Sequence, residues 1–190
     1  MRNFVKISSG LDMVPLQLEL ARQPQLWGQR DFRTTFDHSP HQDIQDIWLR
    51  FNQDPKGLDA NTRAEGVVWY PEAQLFPALV GLVLPLLHYT KSWTLERLIL
   101  TRLPPGGRIL PHSDDKGPYV NQKGINRYHL VVQGLPGSLF KDGEEVVQML
   151  TGEAWWFNPK AEHECMNNSL DDRIHLLVDA KTWPGMESEA

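Results

Sequence analysis

Residues 95–114 read LERLILTRLPPGGRILPHSD and combine two strand patterns with a turn. Leu95 to Leu103 is apolar enough for a strand, and Pro104-Pro105-Gly106-Gly107 has the composition of a turn. A second strand is predicted from Arg108 to His112. Short strands punctuated by glycine and proline are typical of a sandwich or a barrel.

The same pattern continues through the following residues. Turns are predicted at Gly134 to Gly137, at Asp142-Gly143 and at Thr151-Gly152. The further strands are predicted at Asn126 to Gln133, Ser138 to Lys141, Glu144 to Met149, Ala154 to Asn158 and Arg173 to Asp179. We therefore expect a mainly β, cupin-like jelly roll over residues 94–180.

The N-terminal half is predicted to contribute helices that flank this jelly roll. Leu11 to Gln23 has apolar residues at helical spacing. Glu72 to Tyr89 is apolar almost all round, which predicts a helix buried against a sheet. Ile44 to Phe51 alternates like a strand, and Asp54 to Glu65 has the composition of a loop.

Length and composition restrict the class of protein. The 190 residues suggest one domain, with helices and first strands in 1–93, the jelly-roll core in 94–180 and a tail in 181–190. The net charge of -5 argues against a nucleic-acid partner. Cys165 is the single cysteine, no apolar run is long enough to span a bilayer, and residues 1–10 lack signal-peptide features. We expect a cytoplasmic protein, and the sequence indicates no oligomeric state.

His112 and Asp114 form a His-x-Asp pair directly after a predicted strand. Residues i and i+2 of an extended segment point to the same side, so both side chains can reach one ion. His163, which follows the strand Ala154 to Asn158, would supply a third ligand. Two histidines and a carboxylate leave one face of the ion open, which suits non-haem Fe(II) that binds a co-substrate and O₂. The pair alone occurs often by chance, so this prediction depends on His163 and on a basic residue downstream.

That basic residue is Arg173, which opens the last predicted strand ten residues after His163. The apolar face of this strand consists of Ile174, Leu176 and Val178. The opposite face consists of Arg173, His175, Leu177 and Asp179. A charged arginine on a largely apolar strand needs a partner. The partner could be the distal carboxylate of 2-oxoglutarate, bound through two parallel hydrogen bonds. The predicted metal site nearby favours this interpretation. It could also be one of three nearby aspartates, Asp171, Asp172 and Asp179.

Arg127 and His129 alternate with apolar residues on another predicted strand. The opposite face of that strand consists of Tyr128, Leu130 and Val132. We expect Arg127 and His129 to point into the barrel toward an anionic ligand. The alternative is an edge strand on which both side chains lie in water.

These motifs resemble the aspartyl/asparaginyl β-hydroxylase family of 2-oxoglutarate oxygenases from about Leu95 to Asp179. Arg127-Tyr128-His129-Leu130 resembles the family's Arg-x-His-Leu strand. Glu162-His163-Glu164 and Arg173 have the family's spacing, and Trp155-Trp156-Phe157-Asn158 resembles the strand before its second metal histidine.

The resemblance implies a double-stranded β-helix that binds Fe(II), 2-oxoglutarate and O₂. It also implies that Arg127, His129 and Arg173 contact 2-oxoglutarate. The animal enzymes lack a carboxylate ligand, whereas this chain has Asp114. With His112 and His163, Asp114 would complete a metal site of two histidines and one carboxylate. The implied reaction hydroxylates an unactivated C–H of an amino acid or of a peptide or protein side chain, with release of succinate and CO₂.

Two alternative functions stay open. A non-catalytic cupin-like metal-binding or sensor protein would need the three metal ligands, but it would have no use for Arg173. An oxygenase that acts on a nucleobase or another small molecule is the other alternative, and the acidic composition argues against the nucleobase.

Substrate contacts are predicted only as candidates. Tyr119 and Asn121 lie on the polar loop 115–124, which could be a lid over the site or a plain solvated loop. Trp48 and Arg50 on the first strand could line a pocket mouth, although Trp48 fits a core position better.

Three further histidines have no assigned role. His38 and His41 flank a Ser-Pro dipeptide in a polar segment, which favours a surface turn over a substrate contact. His175 shares a strand face with Arg173, and an internal hydrogen-bonded histidine is the safer interpretation than a site residue.

Overall fold

Two antiparallel sheets face each other in the computed structural model, which describes residues 2–52, 66–114 and 125–182. The larger sheet contains β1 (Phe4–Ser8), β2 (Gln45–Asn52), β3 (Val67–Trp69), β4 (Ser92–Leu103), β6 (Ile125–Gln133), β9 (Ala154–Phe157) and β11 (Arg173–Thr182). The smaller sheet contains β5 (Arg108–His112), β7 (Ser138–Asp142), β8 (Glu145–Gln148) and β10 (His163–Asn167). The strand orders are β1-β9-β6-β11-β4-β2-β3 and β5-β10-β7-β8, as in a jelly roll.

Helices cover the outer face of the larger sheet. They are α1 (Val14–Ala21) and α3 (Ala78–Tyr89), and shorter 3-10 turns span Pro24–Leu26 and Pro71–Leu75. The short helix α2 (Phe32–Thr35) packs through Phe32 on a different cluster, which includes Ile99 and Leu177. Leu16 of α1 and Leu79 of α3 belong to one buried cluster with Leu130 of β6 and Leu176 of β11. The predicted mainly β fold with N-terminal helices packed on the sheet is therefore confirmed.

The two faces of the central strands differ in chemistry. On β11 the outward residues Leu176 and Val178 pack under the helices, whereas Arg173 and His175 are buried on the other face. β6 lies between β9 and β11, which excludes the alternative that it is an edge strand. A second apolar cluster, with Phe140 of the smaller sheet among its members, fills the space between the sheets. Polar residues that point inward therefore meet a largely apolar interior.

The segment 72–89 differs from the prediction of one continuous buried helix. A 3-10 turn ends at Leu75 and α3 begins only at Ala78, with Pro77 at its N-cap. Proline disfavours a helical conformation in the residue before it, and Phe76 accordingly leaves the helical region (φ -126°, ψ 66°). One face of α3 is also open to solvent, since Val80 is 61% and Leu84 59% exposed.

Three strands were not predicted: Phe4–Ser8, Val67–Trp69 and His163–Asn167. The predicted tail also begins too early, because Lys181 pairs with Ile125 in the ladder between β11 and β6. The predicted loops 54–65 and 115–124 and the residues after 182 lie outside the described residues. In the described part of the chain, no helix has the length and apolar character of a membrane span.

Candidate metal and co-substrate site

The smaller sheet brings the three predicted metal ligands together. His112 ends β5 and His163 begins β10, and the two residues are direct partners in the antiparallel ladder. Asp114 follows β5, and its backbone N–H donates to the carbonyl of Pro159 at 2.9 Å, which ties this segment to the turn before β10. One ligand atom from each of the three side chains lies within 4.8 Å of the others.

Both histidine rings are oriented by backbone carbonyls. Nδ1 of His112 lies 2.8 Å from the carbonyl of Leu110, and Nδ1 of His163 lies 3.0 Å from that of Ala161. A carbonyl only accepts, so each Nδ1 carries the proton and each Nε2 presents a lone pair. Such an outer hydrogen bond is the usual support of a metal-binding histidine.

Burial keeps both rings neutral and therefore able to bind a metal at neutral pH. It lowers the pKa of His163 to about 4, and the positive charge on His112 would add to this effect. Burial also lowers the pKa of His112. For Asp114, burial alone would raise the pKa, but Arg127, His163 and His112 together hold it below its usual value, so the carboxylate is ionised. The donor set fits a divalent iron ion.

Arg127 of β6 links Asp114 to a second buried carboxylate. Its Nε and Nη2 donate to the two oxygens of Asp179 at 2.7 and 2.9 Å, and its Nη1 donates to Asp114. This guanidinium therefore orients a candidate metal ligand, a role that the sequence did not suggest. Its contact with 2-oxoglutarate stays a prediction.

Arg173 at the start of β11 is only 3% exposed and lies 5.7 Å from the centre of the Phe140 ring. Its Nη2 has no hydrogen-bond partner among the described residues. Of the aspartates considered as partners, Asp179 binds Arg127 and Asp172 lies 3.5 Å from Arg102. Burial of an unpaired guanidinium is costly and lowers the pKa of Arg173. The arrangement fits a site for a carboxylate ligand.

His129 of β6 lies in the same interior. Its ring packs against Phe157 at 4.9 Å and Phe140 at 5.4 Å between ring centres. Its Nδ1 is 3.1 Å from Nδ1 of His175. His175 thus has an internal hydrogen-bond partner, and that partner is a predicted co-substrate residue.

The structure adds a residue that the sequence placed in a surface turn. His41 lies in a turn, as predicted, but its ring is partly buried and lies 4.7 Å from that of His112, so it is not a plain surface residue. Burial, with nearby Arg33 and His112, holds the pKa of His41 well below its usual value. His38 is by contrast exposed, as predicted. No sequence signal relates His41 to His112, because the connection is a long-range one: Leu110 donates its N–H to the carbonyl of Pro40 at 2.9 Å.

The predicted substrate residues do not gather at this site in the described part of the chain. Trp48 is 1% exposed and packs on Phe51 at 4.3 Å, which is the core position that the sequence favoured. Arg50 donates to the carbonyl of Leu95 at 3.0 Å and lies over the ring of Trp69. Tyr119 and Asn121 lie outside the described residues.

Comparison with known proteins covers nearly the whole chain. A family model described as Aspartyl/Asparaginyl beta-hydroxylase matches residues 24–182. None of the curated proteins compared matches the sequence.

Solved structures share the fold at low identity. A 2OG-Fe(II) oxygenase-family oxidoreductase from Burkholderia pseudomallei is 12% identical, with a TM-score of 0.62 over 94% of this chain and 85% of that chain. A prolyl-4-hydroxylase from Pseudomonas putida is 14% identical, with a TM-score of 0.55 over 96% and 94%. A prolyl hydroxylase from Trichoplax adhaerens, solved with a hypoxia inducible factor peptide, is 11% identical, with a TM-score of 0.60 over 94% and 83%.

Proposed function

The chain belongs to the aspartyl/asparaginyl β-hydroxylase family of 2-oxoglutarate-dependent hydroxylases, and we propose that it hydroxylates an unactivated C–H of an amino acid or of a peptide or protein side chain. Succinate and CO₂ would be the co-products. One observation carries this proposal. The jelly-roll interior contains both a His-Asp-His cluster and a buried arginine, Arg173, whose Nη2 has no partner among the described residues.

His112, Asp114 and His163 would hold Fe(II) through two neutral Nε2 atoms and one carboxylate. When bound, the iron and 2-oxoglutarate supply the O₂ activation that breaks an unactivated C–H. The contribution of the chain is to fix the donors. Backbone carbonyls hold the two rings, and Arg127 holds the carboxylate of Asp114.

Arg173 would bind the distal carboxylate of 2-oxoglutarate. A guanidinium can meet a carboxylate with two parallel N–H donors, which fixes the orientation of the whole molecule. Phe140 packs on this arginine and belongs to the apolar cluster between the sheets. The surrounding apolar side chains exclude water, which strengthens the charge pair. His129 would donate a hydrogen bond to the other end of the co-substrate.

The alternative functions fit the interior less well. A cupin-like metal sensor would use the three ligands but would bury Arg173 without a purpose. The net charge of -5 gives no support to a nucleic-acid substrate. The Trichoplax adhaerens enzyme was solved with a peptide, which makes peptides a reasonable first substrate class to test.

The test is a turnover assay. The protein would be prepared with Fe(II), 2-oxoglutarate and O₂, and offered free amino acids in one set of reactions and peptides in another. We expect mass spectrometry to find one product that has gained an oxygen atom, with an equal amount of succinate. The Asp114→Ala variant should form neither. Absence of succinate and of oxidised product in both sets, or equal turnover by the variant, would contradict the proposal.

A further inference from the structure

His175 is buried at the centre of the molecule and has no role in the function proposed above. It lies on β11, with β4 on one side and β6 on the other, and its exposed fraction is 0%. Its Nε2 is fully enclosed and has no hydrogen-bond partner among the described residues. His129, its hydrogen-bonded neighbour, keeps 5% exposure. Among the described residues, the one hydrogen bond of the His175 ring is with His129, so its direct route to a bound molecule is through that residue.

The contact between the two rings is made by the same atom, Nδ1, of each histidine. Nδ1 of His129 and Nδ1 of His175 are 3.1 Å apart, and the ring planes are nearly perpendicular at 89°. Burial, followed by the charge of Arg173, holds the pKa of both histidines well below the usual value, so both rings are neutral. A neutral imidazole has one N–H and one lone pair. One ring must therefore donate its Nδ1 proton, and the other must accept it.

The direction of this bond decides what His129 presents at its other nitrogen. If His129 donates, its Nε2 is a bare lone pair, which repels an anionic oxygen. If His175 donates, Nε2 of His129 carries a proton that an anionic oxygen can accept. Nε2 of His175 is enclosed and has no hydrogen-bond partner among the described residues, so a proton on it would be a buried N–H without an acceptor. A bare lone pair at that position costs less, which favours the second arrangement.

We propose that His175 is a positioning residue that donates its Nδ1 proton to His129 and so fixes His129 as an Nε2–H donor to the carboxylate of 2-oxoglutarate. This inference rests on the proposed function, because it assumes that 2-oxoglutarate occupies the interior. It adds a residue outside the Arg-x-His strand and states which tautomer each histidine adopts. The same outer hydrogen bond fixes the tautomer of many functional histidines.

The first test needs neither metal nor co-substrate. Long-range ¹H–¹⁵N correlation spectra of the metal-free protein distinguish protonated from bare ring nitrogens, and His175→Asn and His129→Asn spectra assign the signals. We expect a proton on Nε2 of His129 and on Nδ1 of His175. A proton on Nδ1 of His129 would overturn the inference, whatever the activity of the enzyme.

The second test measures the affinity for 2-oxoglutarate by anaerobic calorimetry on Mn(II)-loaded protein. His175→Leu removes the donor and should weaken binding by about tenfold, as for other outer hydrogen bonds at such sites. His175→Asn has an amide N–H near the position of Nδ1 and should restore most of the affinity. Melting temperatures and Mn(II) affinity show whether each variant is folded. Equal losses in both variants, or no loss in either, would overturn the inference. A wild type that binds no 2-oxoglutarate would instead contradict the proposed function itself.

Discussion

The arginines around the interior differ in whether a carboxylate neutralises their charge. Arg33 donates to Asp46 at 2.8 Å, and Arg127 binds both Asp179 and Asp114. Arg173 has no ion pair in the described part of the chain, although it is as buried as Asp46. A buried charge without a partner reduces stability, so its presence indicates a binding role.

Replacement of Arg173 by methionine should therefore separate binding from stability. Loss of one partner of a buried charge pair costs several kcal/mol, so we expect the Kd for 2-oxoglutarate to rise by roughly 100-fold. Calorimetry should show an unchanged affinity for the metal, because no metal ligand is altered. The melting temperature should not fall, because an unpaired buried charge is removed.

The matched control is Arg102→Met. Arg102 lies on the neighbouring strand β4 and pairs with Gln45 and Asp172 at the surface. The Arg102→Met substitution should leave the affinity for 2-oxoglutarate unchanged. Equal effects of the two substitutions would show that the loss comes from charge in general and not from a contact with the co-substrate.

At the scale of single elements, local patterns predicted the strands well. The alternation along β6 and β11 correctly assigned Arg127, His129, Arg173 and His175 to one face. This is possible because a strand has a fixed period of two residues. The break at Pro77 was missed, because the apolar pattern continues across it.

Pairing between distant elements could not be predicted in the same way. That His163 lies opposite His112 depends on the register of β10 against β5, which no local pattern specifies. The position of His41 depends on the contact of Pro40 with β5. Local patterns therefore predicted residues that lie together in this interior and missed His41, a neighbour that the tertiary fold supplies.

The strand β7 contains a carboxyl group that should make stability depend on pH. Asp142 is fully buried opposite His163, and both of its oxygens lack hydrogen-bond partners among the described residues. Burial, with a smaller contribution from Glu145, raises the pKa of Asp142 from 3.8 to about 7. Between these values the unfolded chain has already lost the proton that the folded chain keeps, so a rise in pH favours unfolding. Above the folded pKa both states are ionised, and the effect is constant.

The buried histidines have lowered pKa values and act in the opposite direction, because they favour the folded state as pH rises. The difference between Asp142→Asn and the wild type isolates the contribution of Asp142. We expect the gain in the free energy of unfolding of the metal-free variant to grow as pH rises from about 4 to about 7 and to reach on the order of 1–3 kcal/mol at about pH 8. Urea denaturation of both proteins across this range measures it. The control is Asp37→Asn, because the Asp37 side chain is 93% exposed. If the gain of Asp37→Asn grows with pH as much as that of Asp142→Asn does, Asp142 is not the responsible group.

For the whole molecule, the two faces of the larger sheet have different roles: the outer face packs on helices, and the inner face carries the polar residues of the candidate site. Its outer face packs under α1 and α3 through leucines such as Leu130 and Leu176. Its inner face presents the polar residues of β6 and β11 to the His-Asp-His cluster on the smaller sheet. The site therefore exists only when the two sheets are packed together, which explains why its residues are spread from His112 to Asp179.

The central claim is that Fe(II) and 2-oxoglutarate bind together in this interior, and one spectrum tests it directly. Wild-type protein would be mixed with Fe(II) and 2-oxoglutarate without oxygen, and the visible absorption recorded. We predict the weak charge-transfer band of an iron-bound 2-oxo acid, which should be lost in Asp114→Ala and should need far more 2-oxoglutarate in Arg173→Met. If saturating Fe(II) and 2-oxoglutarate give no band with the folded wild type, the account is contradicted.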